Sequence, residues 1–178
     1  MAEIPYQMIS NLRPQITTAW RLKVRVTRIW QAITQQGDTV GINCIFVDEL
    51  GGRIRAWIAA ANMNQLQSLI TEGETYNVHN FVVRQYGAMQ TERCFGNDFS
   101  IQLCDMTNML VAEDVYYIQR HVFQFTNLSA IIDAARENNF LIGEVKLTNY
   151  PATRFFINLH HEAVEDLRDA LTLVNSPM

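Results

Sequence analysis

The stretch that decides the fold covers residues 20–60 and reads WRLKVRVTRIWQAITQQGDTVGINCIFVDELGGRIRAWIAA. Apolar and polar residues alternate over its first eight positions, and this period of two predicts a strand with one buried face. A polar loop and a second apolar run at 40–47 follow. Gly51 and Gly52 can supply the positive backbone angles of a hairpin before a third strand starts at Arg53. We therefore predict three consecutive strands.

Basic and aromatic residues are concentrated in and around this stretch. Residues 4–37 include five basic side chains and no acidic one. Trp30 ends the first basic strand, and Trp57 follows Arg53 and Arg55 in the third. Cationic strands with flat aromatic faces suit a polyanion whose bases can stack, and this indicates single-stranded nucleic acid. The five basic residues are Arg13, Arg21, Lys23, Arg25 and Arg28.

The hydrophobic period changes after Ala60. Residues 62–72 place apolar side chains on one helical face, with Asn62 as the predicted N-cap and Gly73 as the end of the helix. Strands resume at 75–86 and at 97–105. Three strands, a helix and two strands is the order of an OB fold, a small Greek-key barrel that binds oligonucleotides between its strand 1–2 and strand 4–5 loops.

The predicted fold class is mainly β: a five-stranded OB-fold Greek-key barrel with a C-terminal α/β appendage. An irregular lead-in covers residues 1–19 and the OB-fold domain covers 20–106. A linker with a helix covers 107–139, and a truncated second OB-like unit of one or two strands, with an amphipathic C-terminal helix, covers 140–178. Residues 1–100 hold 9 basic and 8 acidic residues, whereas residues 101–178 hold 5 and 10. A polyanion should therefore meet the first half of the chain.

Several classes of protein do not fit the sequence. The three cysteines, Cys44, Cys94 and Cys104, form no CxxC pair, so neither a disulfide framework nor a zinc ribbon is expected. His160-His161-Glu162 lacks the four-residue spacing of zinc ligands on a helix. No catalytic motif is present. The longest apolar run, 56–61, is far shorter than the roughly 20 residues of a membrane span. We expect a soluble intracellular protein without signal peptide, enzymatic activity, cofactor, metal or small-molecule substrate.

The succession of motifs from Trp20 to Asp105 resembles the first single-strand-binding OB domain of the large subunit of replication protein A, especially its plant paralogues. The similar segments are Trp20 with VRVT at 24–27, FVDE at 46–49, IRA at 54–56, the helix before Tyr76, FQFT at 123–126 and LIGEV at 141–145. The last two resemble the linker into a second OB domain, which is contracted here. The resemblance implies DNA over RNA, roles in DNA replication and repair, a nuclear location with the cytoplasm as an additional one, and partner subunits of the replication protein A type.

The predicted nucleic-acid site consists of arginines that contact phosphates and aromatic rings that stack on bases. Arg21 and Lys23 fit a solvated strand face equally well, and Trp57 and Phe81 are expected to contribute to the core. In the register of the resemblance, Ile42 and Val78 occupy the two positions at which the family stacks bases. The predicted site residues are Arg28, Trp30, Arg53, Arg55, Trp57, Arg84, Tyr86 and Arg93.

Two functions follow from these patterns. The first is a non-catalytic protein that binds single-stranded DNA, or RNA, with low sequence specificity. The second is an OB-fold adaptor or regulatory module that has lost strong DNA binding and associates with proteins, including a second copy of itself. Ile42, Val78 and the acidic second half of the chain favour the second function.

Overall fold

The computed structural model describes residues 5–87 and 93–120, together with residues 122 and 165. Seven strand segments, one short α-helix and two 3-10 turns make up the fold of this part of the chain. The predicted appendage and most of the predicted linker lie outside the described residues. The strands are β1 (Arg21–Ile33), β2 (Thr39–Val47), β3 (Arg53–Ala59), β4 (Thr75–His79), β5 (Val82–Gln85), β6 (Phe99–Leu103) and β7 (Asn108–Val111); helix α1 is Ala60–Leu66, and the 3-10 turns are Ile9–Asn11 and Gln67–Leu69.

All seven strands belong to one sheet with the order β5-β6-β3-β2-β1-β4-β7. The β3–β6 pair is parallel and the other pairs are antiparallel. β4 and β5 are two halves of the predicted fourth strand, interrupted at Asn80, whose φ is +59°. One half pairs with β1 and the other with β6, so the sheet curls back on itself. A parallel bridge between Ala19 and Phe81 lies beside this break.

The prediction of an OB fold is confirmed, with two differences in the strands. The predicted fourth strand is split because Asn80 adopts a left-handed conformation, which asparagine tolerates better than most residues. In addition, β7 extends the sheet beyond β4, so the predicted linker begins with a strand of the same sheet.

The core lies on the concave face of the curled sheet. Leu22, Val24 and Val26 of β1 are fully buried there, and Phe81 is also 0% exposed, as predicted. Ile42 and Val78 are 3% and 0% exposed and belong to the same cluster. Neither residue therefore lies on an exposed surface for stacking.

The helix starts and ends differently from the prediction. It begins at Ala60, directly after β3, and Ala59 is its N-cap without any side-chain hydrogen bond. Asn62 lies inside the helix, where its Nδ2 donates to the Leu103 carbonyl oxygen at 3.5 Å. Gly73 (φ +95°) lies beyond the following 3-10 turn, and its N–H donates to the Val26 carbonyl oxygen at 2.7 Å. The glycine thus forms the turn into β4.

Asp48 organises the turn between β2 and β3 and attaches the N-terminal segment to it. This residue is 2% exposed, and its carboxylate accepts hydrogen bonds from the backbone N–H groups of Ile9 (2.7 Å), Leu50 (3.1 Å) and Gly52 (2.7 Å). A buried carboxylate is stable only when such donors surround it. The predicted irregular lead-in is therefore tied to the sheet.

The first half of β1 is closed to ligands by a covering segment, residues 112–118. Arg25, part of the acid-free basic run, is 2% exposed beneath it. Its guanidinium donates to Asp114 Oδ1 (2.6 Å) and to the carbonyl oxygens of Gly73, Val115 and Ile118 (2.8–3.2 Å). Arg25 therefore stabilises the fold and is not available to a polyanion.

Arg21 and Lys23 lie on the same side of β1 as Arg25. The Arg21 guanidinium is 5.6 Å from the ring centre of Tyr6, and Lys23 Nζ is 5.7 Å from that of Tyr117. Both contacts are within the range of cation–π attraction. These two cations therefore cover tyrosine rings beside the first half of β1.

Replacing Asp48 by alanine should destabilise the protein by about 2–4 kcal/mol, because three backbone donors lose their acceptor. Denaturant unfolding followed by circular dichroism measures this change. The control is Glu49→Ala in the same turn, where an exposed side chain should change stability by less than about 0.5 kcal/mol. Equal stability of the two variants would contradict the role of Asp48.

Replacing Asp114 by asparagine should lower the Tm at neutral pH. Hydrogen bonds from Arg25 and Arg120 hold the pKa of Asp114 below its ordinary value of 3.8. The stabilisation is therefore complete above that value and is lost as the pH falls through the lower pKa of the folded protein. The difference in Tm between wild type and variant should shrink in acid and in high salt, since the Asp114 side chain is 53% exposed. Glu113→Gln is the control, and a difference independent of pH would contradict the assignment.

Candidate nucleic-acid interface

The register of β1, β2 and β3 places four predicted site residues in two rows on the convex side of the sheet, opposite the core. In the first row Ile45 pairs with Arg28 on one side and with Arg55 on the other. In the second row, Asn43 pairs in the same way with the two tryptophans, Trp30 and Trp57. Directly opposed residues on one face have Cβ atoms about 4.5–5.5 Å apart. We call this surface, residues 28, 30, 43, 45, 55 and 57, the outer face.

A β-bulge in β1 is the reason that Arg28 and Trp30 reach the outer face. The register with β2 shifts between Val26 and Arg28. Val26 is buried in the core, so strict alternation would also have turned Arg28 and Trp30 inward. The extra residue, Thr27, reverses the phase. Ile29 then packs against the core and its two neighbours face outward.

The Trp57 indole lies across β2, above Gly41. A methyl group at Gly41 would collide with Cη2 and Cζ2 of the indole and with the carbonyl oxygen of Ile58. Trp57 is half-buried in this position. The absence of a side chain at Gly41 therefore lets an aromatic ring rest against the sheet surface, as a stacking platform requires.

Arg55 is held beside this ring by a hydrogen bond to Asn43. Its Nε donates to Asn43 Oδ1 at 2.6 Å, and its guanidinium carbon is 5.5 Å from the Trp57 ring centre. Asn43 is 5% exposed, so its orientation is restricted by packing. Arg55 also lies near Tyr86 and opposes the rise in pKa that burial causes in its phenol. The guanidinium is thus oriented before any ligand arrives.

Tyr86 is largely buried beside Arg55 and Arg93, so its ring has little free surface on which a base could stack. Only 9% of the residue is exposed, and the Arg93 guanidinium is 4.9 Å from the ring centre. Burial raises the pKa of Tyr86, although Arg55 and Arg93 oppose this change. The phenol is therefore neutral at physiological pH. Cys94 lies near this group, and burial raises the pKa of its thiol while Arg55 acts in the opposite direction.

Arg53 and Arg93 flank the outer face and lie against aromatic rings. The Arg53 guanidinium is 4.7 Å from the ring centre of Phe95, and burial lowers its pKa. Arg93 Nη1 is 3.0 Å from Asp98 Oδ1, a carboxylate that is 81% exposed. Both arginines lie on the outer side of the sheet, near the segment that precedes β6.

Arg84 and Arg28 mark the two sides of the surface. Arg84 is exposed on β5 and pairs with Ser100 of β6. The next residue of β6, Ile101, pairs with Ala56 of β3. Strand β6 therefore separates Arg84 from the strand that carries Arg55. Arg28 Nη1 lies 3.7 Å from Glu72 Oε2, so a carboxylate offsets part of its charge.

The structure thus brings all eight predicted residues to one side of the sheet, although Tyr86 and Arg28 contribute differently from the prediction. Sequence reasoning missed Gly41 and Asn43. A glycine within a branched strand was the available signal for Gly41, because it often marks a close approach of another group. Asn43 had no signal, since its role depends on the strand register.

The described residues have no group of three or more His, Cys, Asp or Glu side chains arranged to hold a metal ion. His160-His161-Glu162 lies outside them. Within the same ranges, helices fall short of the length and apolar character needed to span a membrane.

These features define an OB-fold domain with a basic and aromatic outer face. The family model "Domain of unknown function DUF223" matches residues 10–134, which is more than half of the chain. The protein belongs to this family. No curated protein matches the chain.

Solved structures with a similar fold include two of replication protein A and an OB domain. A replication protein A heterotrimer bound to ssDNA matches at 19% identity and a TM-score of 0.49, over 71% of this chain and 29% of that chain. DNA-binding domain A of S. cerevisiae replication protein A matches at 23% identity and a TM-score of 0.43, over 62% of this chain and 96% of that chain. An OB domain from Methanosarcina mazei matches at 16% identity and a TM-score of 0.46, over 68% of this chain and 95% of that chain. The finer assignment to a plant-type large-subunit paralogue stays a prediction.

Substituting Gly41 by alanine should displace the Trp57 ring and destabilise the protein by about 1–3 kcal/mol, as overpacking does. Denaturant unfolding and the emission of Trp57, in a background with Trp20→Phe and Trp30→Phe, measure both effects. Gly87→Ala is the matched control, because a methyl group there meets no atom within 4 Å. Unchanged emission in the Gly41→Ala variant would show that the ring does not depend on the glycine.

Proposed function

We propose that this domain binds single-stranded nucleic acid, without catalysis, on the outer face of β1, β2 and β3. The observation that carries the proposal is the register that sets Arg28 and Arg55 in one row and Trp30 and Trp57 in the next. Duplexes have no unstacked bases to offer such a platform. DNA is favoured over RNA by the resemblance of the sequence alone.

The arginines would bind phosphates through the planar fork of the guanidinium group. Arg55 is the central contact, because Asn43 already fixes its orientation and little side-chain entropy remains to be lost on binding. Arg84 is exposed and would extend the path across the sheet. Arg53, Arg93 and Arg28 would add to the positive potential along the sides of the outer face.

The tryptophans would supply sequence-tolerant contacts. Every base has a π-face, and stacking on an aromatic side chain contributes about 1–3 kcal/mol per base. Trp57 is the main platform in this proposal, with Trp30 on the other side of Asn43. A single OB fold covers about 4–16 nucleotides. Because the net charge of the chain is −4, we expect modest affinity with a steep dependence on salt.

The biological setting is also proposed from the sequence resemblance. It favours a nuclear protein that acts in DNA replication or repair, with subunits of the replication protein A type as partners. Since the chain matches only 29% of the length of the replication protein A chain named above, the activities of that whole protein are not assigned to it.

Arg55→Ala should weaken binding of oligo(dT) about tenfold and reduce the salt slope by about one unit, because one phosphate contact is lost. Trp57→Ala should weaken the free energy of binding by about 1–3 kcal/mol without changing the salt slope. Fluorescence anisotropy over a range of salt concentrations measures both quantities. Arg13→Ala is the charge-matched control, since Arg13 lies in the N-terminal segment and hydrogen-bonds the Ser10 and Leu12 carbonyl oxygens.

Equal losses in Arg55→Ala and Arg13→Ala would mean that only net charge matters and would contradict the outer face as the site. Absence of salt-dependent binding at protein concentrations on the order of tens of micromolar would exclude the function itself. The second function, an association module, would then be favoured. Its supporting observation is the exposed apolar pair Leu110 (52%) and Val111 (69%) on β7, and light scattering would detect the oligomer.

A further inference from the structure

A cavity of about 290 Å³ lies at the edge of the sheet, next to the outer face. Three consecutive residues of β1, Ile29, Trp30 and Gln31, line it, so it runs along the edge of that strand. The pairing of β1 with β4 ends at Arg25 and Thr75. The Glu72 carboxylate accepts the Ile29 N–H at 2.8 Å, and beyond this bond the edge of β1 faces the turn after α1. The cavity is therefore reached from the side of the sheet.

The floor of the cavity is apolar and uncharged. Ile42, Cys44, Ile58 and Ile70 line it, and each is at most 9% exposed. Burial raises the pKa of Cys44 to about 12, so the thiol stays protonated. Such a floor excludes phosphate groups and accepts a flat, weakly polar ring.

The mouth of the cavity has two side-chain amides. Gln31 and Gln67 are exposed and line the opening, one from β1 and the other from the 3-10 turn. Each amide offers both a donor and an acceptor. A glutamine amide can pair with the N6 and N7 atoms of adenine in a bidentate manner. The rim is thus suited to the edge of a base.

Trp30 connects this cavity to the outer face. It borders the cavity and also pairs with Asn43 in the tryptophan row. A strand that stacks on the outer face therefore passes the mouth when it crosses the edge of β1. Turning one base out of an unpaired strand costs little, since no base pair has to be broken.

We infer that this cavity receives one purine base, adenine by preference, from a strand bound on the outer face. This inference rests on the proposed function and adds a single position of sequence preference to it. An apolar cavity of about 150 Å³ holds a benzene ring, so 290 Å³ leaves room for the two rings of a purine. The glutamine amides select the base by its edge, and Trp30 guides it from the outer face.

The test uses the whole chain and oligo(dT) strands about 12 nucleotides long, within the site size of one OB fold. A single dA, dG, dC or abasic site replaces dT at each position in turn, and competition anisotropy measures the affinity ratio to oligo(dT). We expect one placement of dA to bind roughly 5- to 100-fold more tightly than the abasic strand, as a bidentate base contact would give. The strand with dA at this position should also bind more tightly than the strands with dT or dC at the same position.

Two variants connect the preference to the cavity. The double substitution Gln31→Leu with Gln67→Leu removes the amides and should bring the ratio of dA to dT close to one. Cys44→Met fills the floor and should have the same effect, with its folding checked by circular dichroism.

The matched control is the double substitution Gln35→Leu with Gln36→Leu. Both glutamines are exposed in the loop between β1 and β2, and neither lines the cavity. This variant makes the same chemical change at two exposed amides, so it should keep the wild-type ratio of dA to dT. An equal loss of preference in the two double variants would overturn the assignment to the cavity.

The outcomes separate the two proposals. Oligo(dT) binding without preference at any position would overturn the cavity assignment and leave the proposed function intact. A preference that persists in the Gln31→Leu, Gln67→Leu variant would also overturn it, as would a preference for dC or dG. If no strand binds at all, the proposed function fails and the inference that rests on it fails as well.

Discussion

The β-bulge at Thr27 is the constraint on which the rest of the structure depends. The first half of β1 pairs with β4 and the second half with β2, and the register shift falls between Val26 and Arg28. Before the shift, the alternating apolar residues enter the core. After it, the same alternation turns Ile29 inward and exposes Arg28 and Trp30. One extra residue thus lets a single strand complete the core and also build the outer face.

The covering segment over Arg25 divides the basic run into parts with different roles. Arg25 is buried under the covering segment, and its guanidinium donates to Asp114 and to three carbonyl oxygens. A buried arginine needs such acceptors around its charge. Arg28, further along the same strand and on the same side of the sheet, is 30% exposed and has a partial counter-charge from Glu72. Position along the chain therefore does not indicate which cation is available to a ligand.

The outer face is oriented by neutral residues more than by charged ones. Asn43 fixes Arg55, Gly41 leaves the space for Trp57, and the buried Tyr86 ring lies against Arg93. These contacts restrict the side chains before binding, which reduces the entropy lost when a ligand is captured. The acidic partners Glu72 and Asp98 limit the positive potential of the surface. Geometry and a small set of oriented groups, not total charge, distinguish this face from the rest of the molecule.

The sequence by itself determined the order of strands and helix, the buried face of the first half of β1 and the candidate arginines and tryptophans. Those features are local, because period-two alternation and glycine turns are encoded by neighbouring residues. The burial of Ile42 and Val78 and the role of Asn43 could not be read from the sequence, because facing direction depends on how two strands pair. The bulge, the split at Asn80 and the burial of Arg25 likewise arise from contacts between distant segments. Only the tertiary structure decided which cations and rings share a surface, since strand register and long-range covering contacts are not written in local periodicity.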